Sequence, residues 1–532
     1  MIDTLRAFAS RILILQGMLL ILALPAVATE QKDAFDISGG FSYHALKVVH
    51  STSSPSLEIV DTTYLIGAWL QSFSGNLSLE KTLANRLEIN VALSGGLYYA
   101  TQDLVTVYFV EDQGRRTSTG LRGSINYIVG DLDRPIMEVK GGYFDFDYTK
   151  DLKNLGGYLL RSDMYPGVVY SGGGGSGFFG LGFHSDYIPR LSHDLIVNME
   201  MYYPIGDISF AYVADVDIGD FLNVGAGAVL YRLIQPGDNK DLTSPTTDFG
   251  LDEDGERVYY TKAGTKVMGR FSFDPKPLLP PTDFFAEDDL RLYAEAAILG
   301  VKNYPTSTKS DGDGTYEVGF DDITERVPVM AGINVPVHPL VANTFVPAGL
   351  ALFLIAIEPD EAQDNTFRVA NDEFDSTAYS SHDEFRWEQE TDSVMVVTTD
   401  FVPQGFDVKP ARPFIWAGAS LVTGIGTYLL EKLVEARLRF DVVSIEVEYY
   451  GSPYRNVRFR QPAVKPMEKG DKDDWKWSVY AKKSFADDRL AFSLLVACDQ
   501  TRALDAGGFF TNDLQIIGSN EWYWSLGFDF SF

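Results

Sequence analysis

The last eleven residues, 522–532, constrain the fold most, because every second one of them is large and apolar. Those residues are Trp522, Trp524, Leu526, Phe528, Phe530 and Phe532, and most residues between them are small or polar. Successive side chains of a strand point to opposite faces. The stretch therefore predicts a strand with one wholly apolar face, which fits either a soluble sheet packed on a core or a barrel surrounded by lipid.

The same alternation recurs along the chain, at residues 195–203, 210–217, 290–299, 437–442, 445–449, 475–482 and 490–499. Weaker strands are predicted near 35–49, 57–73, 86–100, 119–129, 135–147, 221–233 and 411–423. Segments of about ten residues with a period of two are typical of an antiparallel up-and-down transmembrane β-barrel. The sequence predicts an all-β barrel with an even number of strands, about 16 to 20. A soluble β-sandwich or propeller is the alternative.

The terminal strand resembles the C-terminal sorting signal of bacterial outer-membrane β-barrel proteins. In that signal a final Phe follows apolar residues at every second position, as Phe532 does here. The resemblance implies insertion into the outer membrane of a Gram-negative-type envelope. It also implies contact with the barrel-assembly machinery, with lipid and with lipopolysaccharide.

The first 28 residues have the features of a secretory signal peptide. Arg6 and Arg11 precede a short apolar core at residues 12–24, and Ala26 and Ala28 form an A-x-A cleavage site. We expect residues 29–532 to form a single barrel domain. No later apolar run reaches the roughly 20 residues that a membrane helix requires.

Charge and cysteine content narrow the possible partners. The formal net charge is −30, which argues against nucleic acid, because phosphate binding needs clustered Lys and Arg. The one cysteine, Cys498, excludes an intramolecular disulfide and is expected on the lipid face.

The predicted connections differ in length and composition. Three long acidic loops, at 235–265, 305–325 and 358–413, are predicted to lie outside the cell, since barrels of this class have short periplasmic turns and long extracellular loops. In the third loop, aromatic residues are expected to pin the loop to the barrel rim, or else to line a sugar-binding vestibule. Residues 151–177 combine leucines at helix-like spacing with four consecutive glycines, 172–175, and are predicted to fold into the lumen.

A second resemblance concerns the strand that leads into this inward loop. Residues 139–144 followed by 159–162 loosely resemble bacterial porins, in which a strand ending in Gly-x-Phe leads to an inward-folded loop. The resemblance implies a pore with a constriction loop, and it leaves an oligomer possible. It does not identify a solute.

Charges at the non-lipid positions are predicted to line the pore. They are Glu138, Lys140, Glu200, Asp215, Arg291, Glu295, Arg437, Arg439, Asp441, Glu446, Glu448, Lys476 and Lys482. A basic residue on the lipid face would cost about 2 to 4 kcal/mol near the midplane, which favours the inward assignment. These charges either surround an aqueous pore or pair across a filled lumen. Acidic mouths would give a mild preference for cations.

Catalytic and metal sites are not predicted. The triplets His184-Ser185-Asp186 and Ser192-His193-Asp194 cannot form a hydrolytic triad within one strand, because adjacent side chains point to opposite faces. The six histidines show no metal-ligand spacing. Residues 311–322 lack the Gly and Glu of a calcium-binding loop, so a solvated acidic turn is expected there. No cofactor is expected.

The sequence predicts a porin-like outer-membrane channel for passive diffusion of small hydrophilic solutes. One alternative is a structural or adhesive surface barrel with a blocked lumen. The other is a transporter of hydrophobic substrates, for which residues 29–36 form too short and polar an N-terminal segment.

Deleting Phe532 should lower the amount of folded protein in the outer membrane several-fold, because the sorting signal would lose its last residue while the lumen charges stay unchanged. Gel migration before and after boiling measures the folded fraction. Assembly at normal levels would contradict the sorting role of Phe532.

Overall fold

The computed structural model describes residues 35–50, 69–83, 86–100, 115–160, 177–199, 208–234, 248–251, 257–259, 264–280, 282, 284–299, 301, 305–310, 316–320, 326–338, 365–370, 384–387, 394–399, 425–426, 439–450, 474–486, 488–499 and 522–532. Within these ranges, sixteen antiparallel strands form a closed barrel, in which each strand pairs with the one before it and the last pairs with the first. The prediction of an all-β antiparallel barrel is therefore confirmed.

Numbered along the chain together with shorter strands in the connections, the barrel strands are β1 (Asp36–His50), β2 (Trp69–Leu83), β3 (Leu87–Ala100), β4 (Arg115–Gly130), β5 (Pro135–Asp145), β6 (Gly177–Ser185), β7 (Leu191–Met199), β8 (Ile208–Ile218), β9 (Leu222–Ile234), β12 (Gly264–Phe273), β13 (Leu292–Ile298), β16 (Val329–Asn334), β20 (Val442–Tyr449), β21 (Trp475–Phe485), β22 (Leu490–Cys498) and β23 (Trp522–Ser531).

The connections described in part hold three small sheets. These are β10 (Asp248–Leu251) with β11 (Arg257–Tyr259), β14 (Pro305–Ser310) with β15 (Tyr316–Phe320), and β17 (Asn365–Ala370) with β19 (Val394–Thr399) and β18 (Glu384–Trp387). A 3-10 helix covers Lys276–Leu278. No helix in the described part of the chain is long and apolar enough to cross a membrane.

The terminal strand closes the barrel. Strand β23 pairs with β1 from Ser531, opposite Gly40, to Trp522, opposite His50. Phe532 and Gly39 exchange two backbone hydrogen bonds, of 3.2 and 2.9 Å. The amphipathic strand at the chain's end therefore occupies the seam where the first and last strands meet.

The two faces of the barrel wall differ in chemistry. Along each strand, alternate residues point outward, and many large apolar side chains on that face are exposed. Leu121 is 75% exposed, Trp475 63% and Leu93 56%, and Tyr212, Phe271, Phe492 and Leu526 are also exposed. Because exposed apolar area is unfavourable in water, such a continuous outer surface suits apolar surroundings.

Antiparallel strands alternate in direction, so successive connections alternate between the two ends of the barrel. One end, here the short-turn end, carries the connections 84–86, 131–134, 186–190, 219–221 and 486–489. The other, the long-loop end, carries the connections that contain the predicted loops 235–265 and 305–325.

The third long loop leaves from the opposite end, so the prediction that all three lie together outside the cell is wrong. Strand β16 ends at Asn334, whose backbone N–H donates to Arg291 O (2.9 Å) at the short-turn end. The connection 335–441, which contains residues 358–413, therefore starts and returns there. Loop length alone cannot reveal this, since the end is set by how many strands precede the loop.

Gly142 lets β5 turn away from its neighbour. Strand β5 pairs with β4 only as far as Gly142, opposite Ser124, and continues along β6 to Asp145. The φ angle of Gly142 is +107°, and a Cβ there would approach Gly123 O to 2.3 Å. The strand then leads into residues 146–160, which we name the lumen segment.

Replacing Gly142 by Ala should destabilise the barrel by about 1 to 3 kcal/mol, because this backbone conformation is open almost solely to glycine. Gly141→Ala is the matched control, since Gly141 has ordinary backbone angles and its nearest neighbour would be Leu181 Cδ2 at 3.4 Å. Denaturant unfolding followed by tryptophan fluorescence measures both variants. Equal losses for the two would contradict this account of Gly142.

Candidate functional site

The lumen segment folds into the barrel and forms the centre of its main apolar cluster. Leu155 is 1% exposed, and Tyr158 and Leu159 are fully buried. Around them pack inward side chains from the strands between β6 and β16: Phe178, Ile196, Ala211, Val213, Val229, Tyr231, Met268, Tyr293, Ala297 and Met330. The predicted inward fold is confirmed for residues 151–160, which form bends and turns, and residues 161–176 lie outside the described ranges.

Glu446 of β20 holds the start of this segment through backbone hydrogen bonds. Its carboxylate accepts from the N–H groups of Lys153 (2.7 Å), Asn154 (2.9 Å) and Leu155 (2.8 Å). It also accepts from the Tyr293 hydroxyl (2.9 Å) and is fully buried. Three successive backbone N–H groups of the lumen segment therefore share one buried carboxylate as their acceptor.

Glu295 of β13 holds the next turn in the same way. Its carboxylate accepts from the backbone N–H groups of Gly157 (3.1 Å) and Tyr158 (2.8 Å) and from the Tyr148 hydroxyl (2.6 Å). Glu295 is 2% exposed. Five backbone N–H groups of the lumen segment thus donate to carboxylates of the barrel wall, as buried backbone donors require.

Two buried lysines complete the polar contacts around Tyr158. The hydroxyl of Tyr158 donates to Glu448 (2.9 Å), which also accepts from Lys476 Nζ (2.9 Å). Lys266 of β12 donates to the Tyr158 carbonyl (3.2 Å). Each buried charge therefore has a partner, as burial requires.

Arg291 ties the segment to the short-turn end. Its guanidinium lies 3.1 Å from Asp151 and 3.3 Å from Asp288. Burial lowers the pKa of this guanidinium, but the two carboxylates outweigh burial, so that the pKa lies above its ordinary value. Arg291 therefore stays charged at any physiological pH.

The wall on the other side of the lumen is different. The inward residues of β1 to β4, here the open wall, include Ser42, Ser72, Ser74, Asn76, Ser78, Asn90, Ser94, Ser124 and Asn126. Each of these keeps part of its surface accessible, whereas the inward residues Ser444, Glu446 and Glu448 of β20 are fully buried. The lumen segment thus fills one side of the barrel interior, and small polar groups line the other.

The predicted pore-lining residues fall into three groups. Buried against the lumen segment are Glu295, Glu446, Glu448 and Lys476, with Arg291 at its edge. Inward on strands but partly or fully accessible are Glu138, Lys140, Asp215 and Lys482, of which Asp215 pairs with Arg270 at 2.6 Å. Arg439 and Asp441 precede β20, and Glu200 and Arg437 lie outside the described ranges.

Asp441 is on no strand, although the sequence placed it among the inward charges. It lies in the connection just before β20, is exposed, and pairs with Lys483 at 3.1 Å. The predicted alternation through residues 437–442 placed Val442 on the lipid face. The strand begins only at Val442, and its side chain points inward, opposite Lys482.

The residues of the predicted assembly signal lie along one face of β23. Trp522, Trp524, Leu526, Phe528 and Phe530 share the outward face, and Phe532 follows the strand's end. Cys498 also has an outward position, opposite Trp477, but is only 6% exposed. The predicted cleavage residues Ala26 and Ala28 lie outside the described ranges.

In the first histidine triplet, His184 and Ser185 do not form a nucleophile–base pair. His184 Nδ1 lies 2.9 Å from Asp194 and its Nε2 lies 3.0 Å from Asp186, so carboxylates occupy both ring nitrogens. The Ser185 hydroxyl instead donates to the Ile136 carbonyl (2.7 Å). Among the described residues, no group of three or more His, Cys, Asp or Glu side chains could hold a metal ion. Residues 311–315 of the acidic turn lie outside that set.

Sequence reasoning missed several members of this network. Lys266 lies on β12, which was not among the predicted strands, and Tyr148 and Tyr158 carry no strand pattern. The alternation of Arg270 and Ser272 with Phe271 and Phe273 is a signal that could have located β12.

No protein-family model matches the sequence, and no curated protein matches it. Among solved structures, a triple mutant of the porin from Rhodopseudomonas blastica aligns over 94% of this chain and 100% of its own, at 7% identity and a TM-score of 0.35. A structure described as "Asymmetric conductivity of engineered proteins" aligns over the same shares at 8% identity and a TM-score of 0.35.

Replacing Glu446 by Ala should destabilise the protein by about 3 kcal/mol or more, since each buried N–H left without an acceptor costs about 1 to 3 kcal/mol. Denaturant unfolding measures the loss. Cleavage by trypsin at Lys153 reports whether the lumen segment has been released.

Glu138→Ala is the matched control, because Glu138 is an inward carboxylate of β5 that is partly accessible. It should change stability by about 0.5 kcal/mol or less and leave Lys153 as resistant as in the unaltered protein. If the Glu446 and Glu138 variants behave alike, Glu446 does not anchor the segment.

Proposed function

We propose that this protein is an outer-membrane channel through which small hydrophilic solutes diffuse passively. One observation carries the proposal: a closed ring of strands with exposed apolar side chains on its outside and polar or charged side chains on its inside. Proteins that fold in water bury apolar side chains and expose polar ones. The opposite arrangement in this barrel is the one expected in a lipid bilayer.

The closed strand pairing supports the location in a membrane. A bilayer core offers no water to backbone N–H and C=O groups, so each must be paired within the protein. In this barrel each described strand of the ring has a partner on both sides, including the seam between β23 and β1. The lipid and lipopolysaccharide of an outer membrane would surround the exposed outward residues.

The size of the ring supports a water-filled passage. A barrel of about 8 strands is filled by its own side chains, whereas 16 to 18 strands leave an aqueous channel. Here the lumen segment occupies the side between β6 and β22, and the open wall of β1 to β4 keeps accessible polar groups. The passage would therefore run along the open wall.

The charges beside this passage support a mild preference for cations. Inward carboxylates there belong to Asp36, Glu80, Glu88, Glu138 and Asp529, and the described basic side chains are Arg122 and Lys140. His44 lies 3.8 Å from Asp529. An excess of accessible carboxylates raises the local concentration of cations, and salt screens the effect.

The asymmetry of the two ends supports an orientation with the short-turn end toward the periplasm. In that orientation residues 1–28 would direct export and be removed after Ala28, and β23 with Phe532 would engage the barrel-assembly machinery. Residues 29–532 would form one barrel domain. Oligomers would be compatible with this arrangement.

A second candidate is a surface barrel whose lumen is blocked, and the packing of the lumen segment favours it. Glu446 and Glu448 are fully buried beneath that segment, so this side of the interior holds packed side chains. The two candidates differ in whether water passes the open wall.

Purified protein in a planar bilayer should give stepwise, ohmic openings, because a fixed aqueous passage conducts in proportion to voltage. In a salt gradient, the reversal potential should have the sign expected when cations cross faster than anions. A folded barrel that shows no openings would contradict the proposed channel and favour the surface barrel with a blocked lumen.

The variant Glu80→Gln/Glu88→Gln should move the reversal potential toward zero, since it removes two inward carboxylates beside the passage. Asp488→Asn, in an exposed turn at the short-turn end, is the matched control and should leave it unchanged. Equal shifts in both variants would place the cation preference outside the lumen.

A further inference from the structure

The open wall carries a continuous array of small hydrogen-bonding groups. Strand β2 places Ser74, Asn76 and Ser78 at successive inward positions, and Ser42 and Ser94 face the lumen beside them on β1 and β3. Hydroxyl and amide side chains can each donate and accept, so the array presents both functions to the lumen.

These groups are linked to one another without losing that capacity. The hydroxyls of Ser42 and Ser74 lie 2.6 Å apart, and Ser78 donates to Asn90 at 3.1 Å. The Ser94 hydroxyl donates to the Gly120 carbonyl at 3.4 Å. All three pairs are partly accessible, and each hydroxyl has a second lone pair for a solute or a water molecule.

Charged side chains lie at the edges of this array. The nearest inward carboxylates on the two central strands, Glu80 and Glu88, lie toward the short-turn end. Arg122, on the neighbouring strand β4, lies 3.4 Å from Asp145, with its guanidinium 4.6 Å from the centre of the Tyr143 ring. On β1, Ser42 lies opposite Asp529 of β23, so the neutral hydrogen-bonding surface is the middle of β2 and β3, from Ser74 to Ser78 and from Asn90 to Ser94.

We propose that the open wall selects uncharged, hydroxyl-rich solutes of the small-sugar and polyol class. This inference rests on the proposed channel and names its solute class. Each solute hydroxyl can exchange a water molecule for a serine or asparagine at little cost, because donor and acceptor are both offered. Several weak sites in a row let a solute enter and leave, which passage requires.

Swelling of proteoliposomes tests this with three probes of matched size: glucose, glucosamine as the cation and gluconate as the anion. Glucose should enter fastest. The triple variant Ser42→Ala/Ser74→Ala/Ser78→Ala removes hydroxyls without narrowing the lumen. It should slow glucose about fivefold for each hydrogen bond lost in transit.

The matched variant Ser42→Thr/Ser74→Thr/Ser78→Thr keeps the hydroxyls and should retain the preference for glucose. The solute class is overturned if the three probes enter equally fast, or if the alanine variant admits glucose as fast as the unaltered protein does. Conductance without any preference overturns this inference alone, whereas a folded barrel with neither conductance nor swelling overturns the channel as well.

Discussion

The structure depends on one constraint: side chains alternate between two faces with a period of two around a ring of strands that has no free edge. Closure satisfies the backbone within the ring, so the outer face can carry exposed Leu, Phe and Trp side chains. The same alternation sends Ser, Asn, Glu and Lys side chains inward. A shift of one residue in the pairing register of any strand would turn its apolar side chains inward and its polar side chains outward.

The interior solves a second problem, which is how to hold a chain segment inside a wide barrel. Backbone N–H groups of an irregular segment would be costly to bury without acceptors. Glu446 and Glu295 supply those acceptors, and the lumen segment in turn supplies the hydrogen bonds that buried carboxylates need. Segment and wall are thus mutually dependent, and the apolar contacts of Leu155 and Leu159 add to both.

This arrangement divides the lumen into unlike halves. The half beneath the lumen segment is packed and charged, and the open wall is accessible and mostly neutral. The inward charges that the sequence assigned to a pore therefore split between two tasks. Glu295, Glu446, Glu448 and Lys476 stabilise the segment, and the proposed passage is lined instead by serines and asparagines.

The sequence predicted the architecture well because alternation is a local signal. Strands β8, β13, β21, β22 and β23 all have the predicted outward residues, and the strand number lies within the predicted range. The misses have physical causes. Glycines weaken the pattern in β6 and β12, β16 is short, and the end from which residues 335–441 emerge depends on counting those strands. The anchoring role of Glu446 depends on contacts with residues about 290 positions away, which no local pattern encodes.

The most direct measurement is thiol labelling of single cysteines in the reconstituted protein, in a Cys498→Ser background. Ser74→Cys on the open wall should react rapidly with a charged, water-soluble reagent. Leu121→Cys on the outer face should react only with a lipid-soluble reagent, and Ser478→Cys, buried behind the lumen segment, with neither. Equal reactivity of the Ser74 and Ser478 positions, or fast aqueous labelling at Leu121, would contradict the account of one lipid face, one packed half and one open wall.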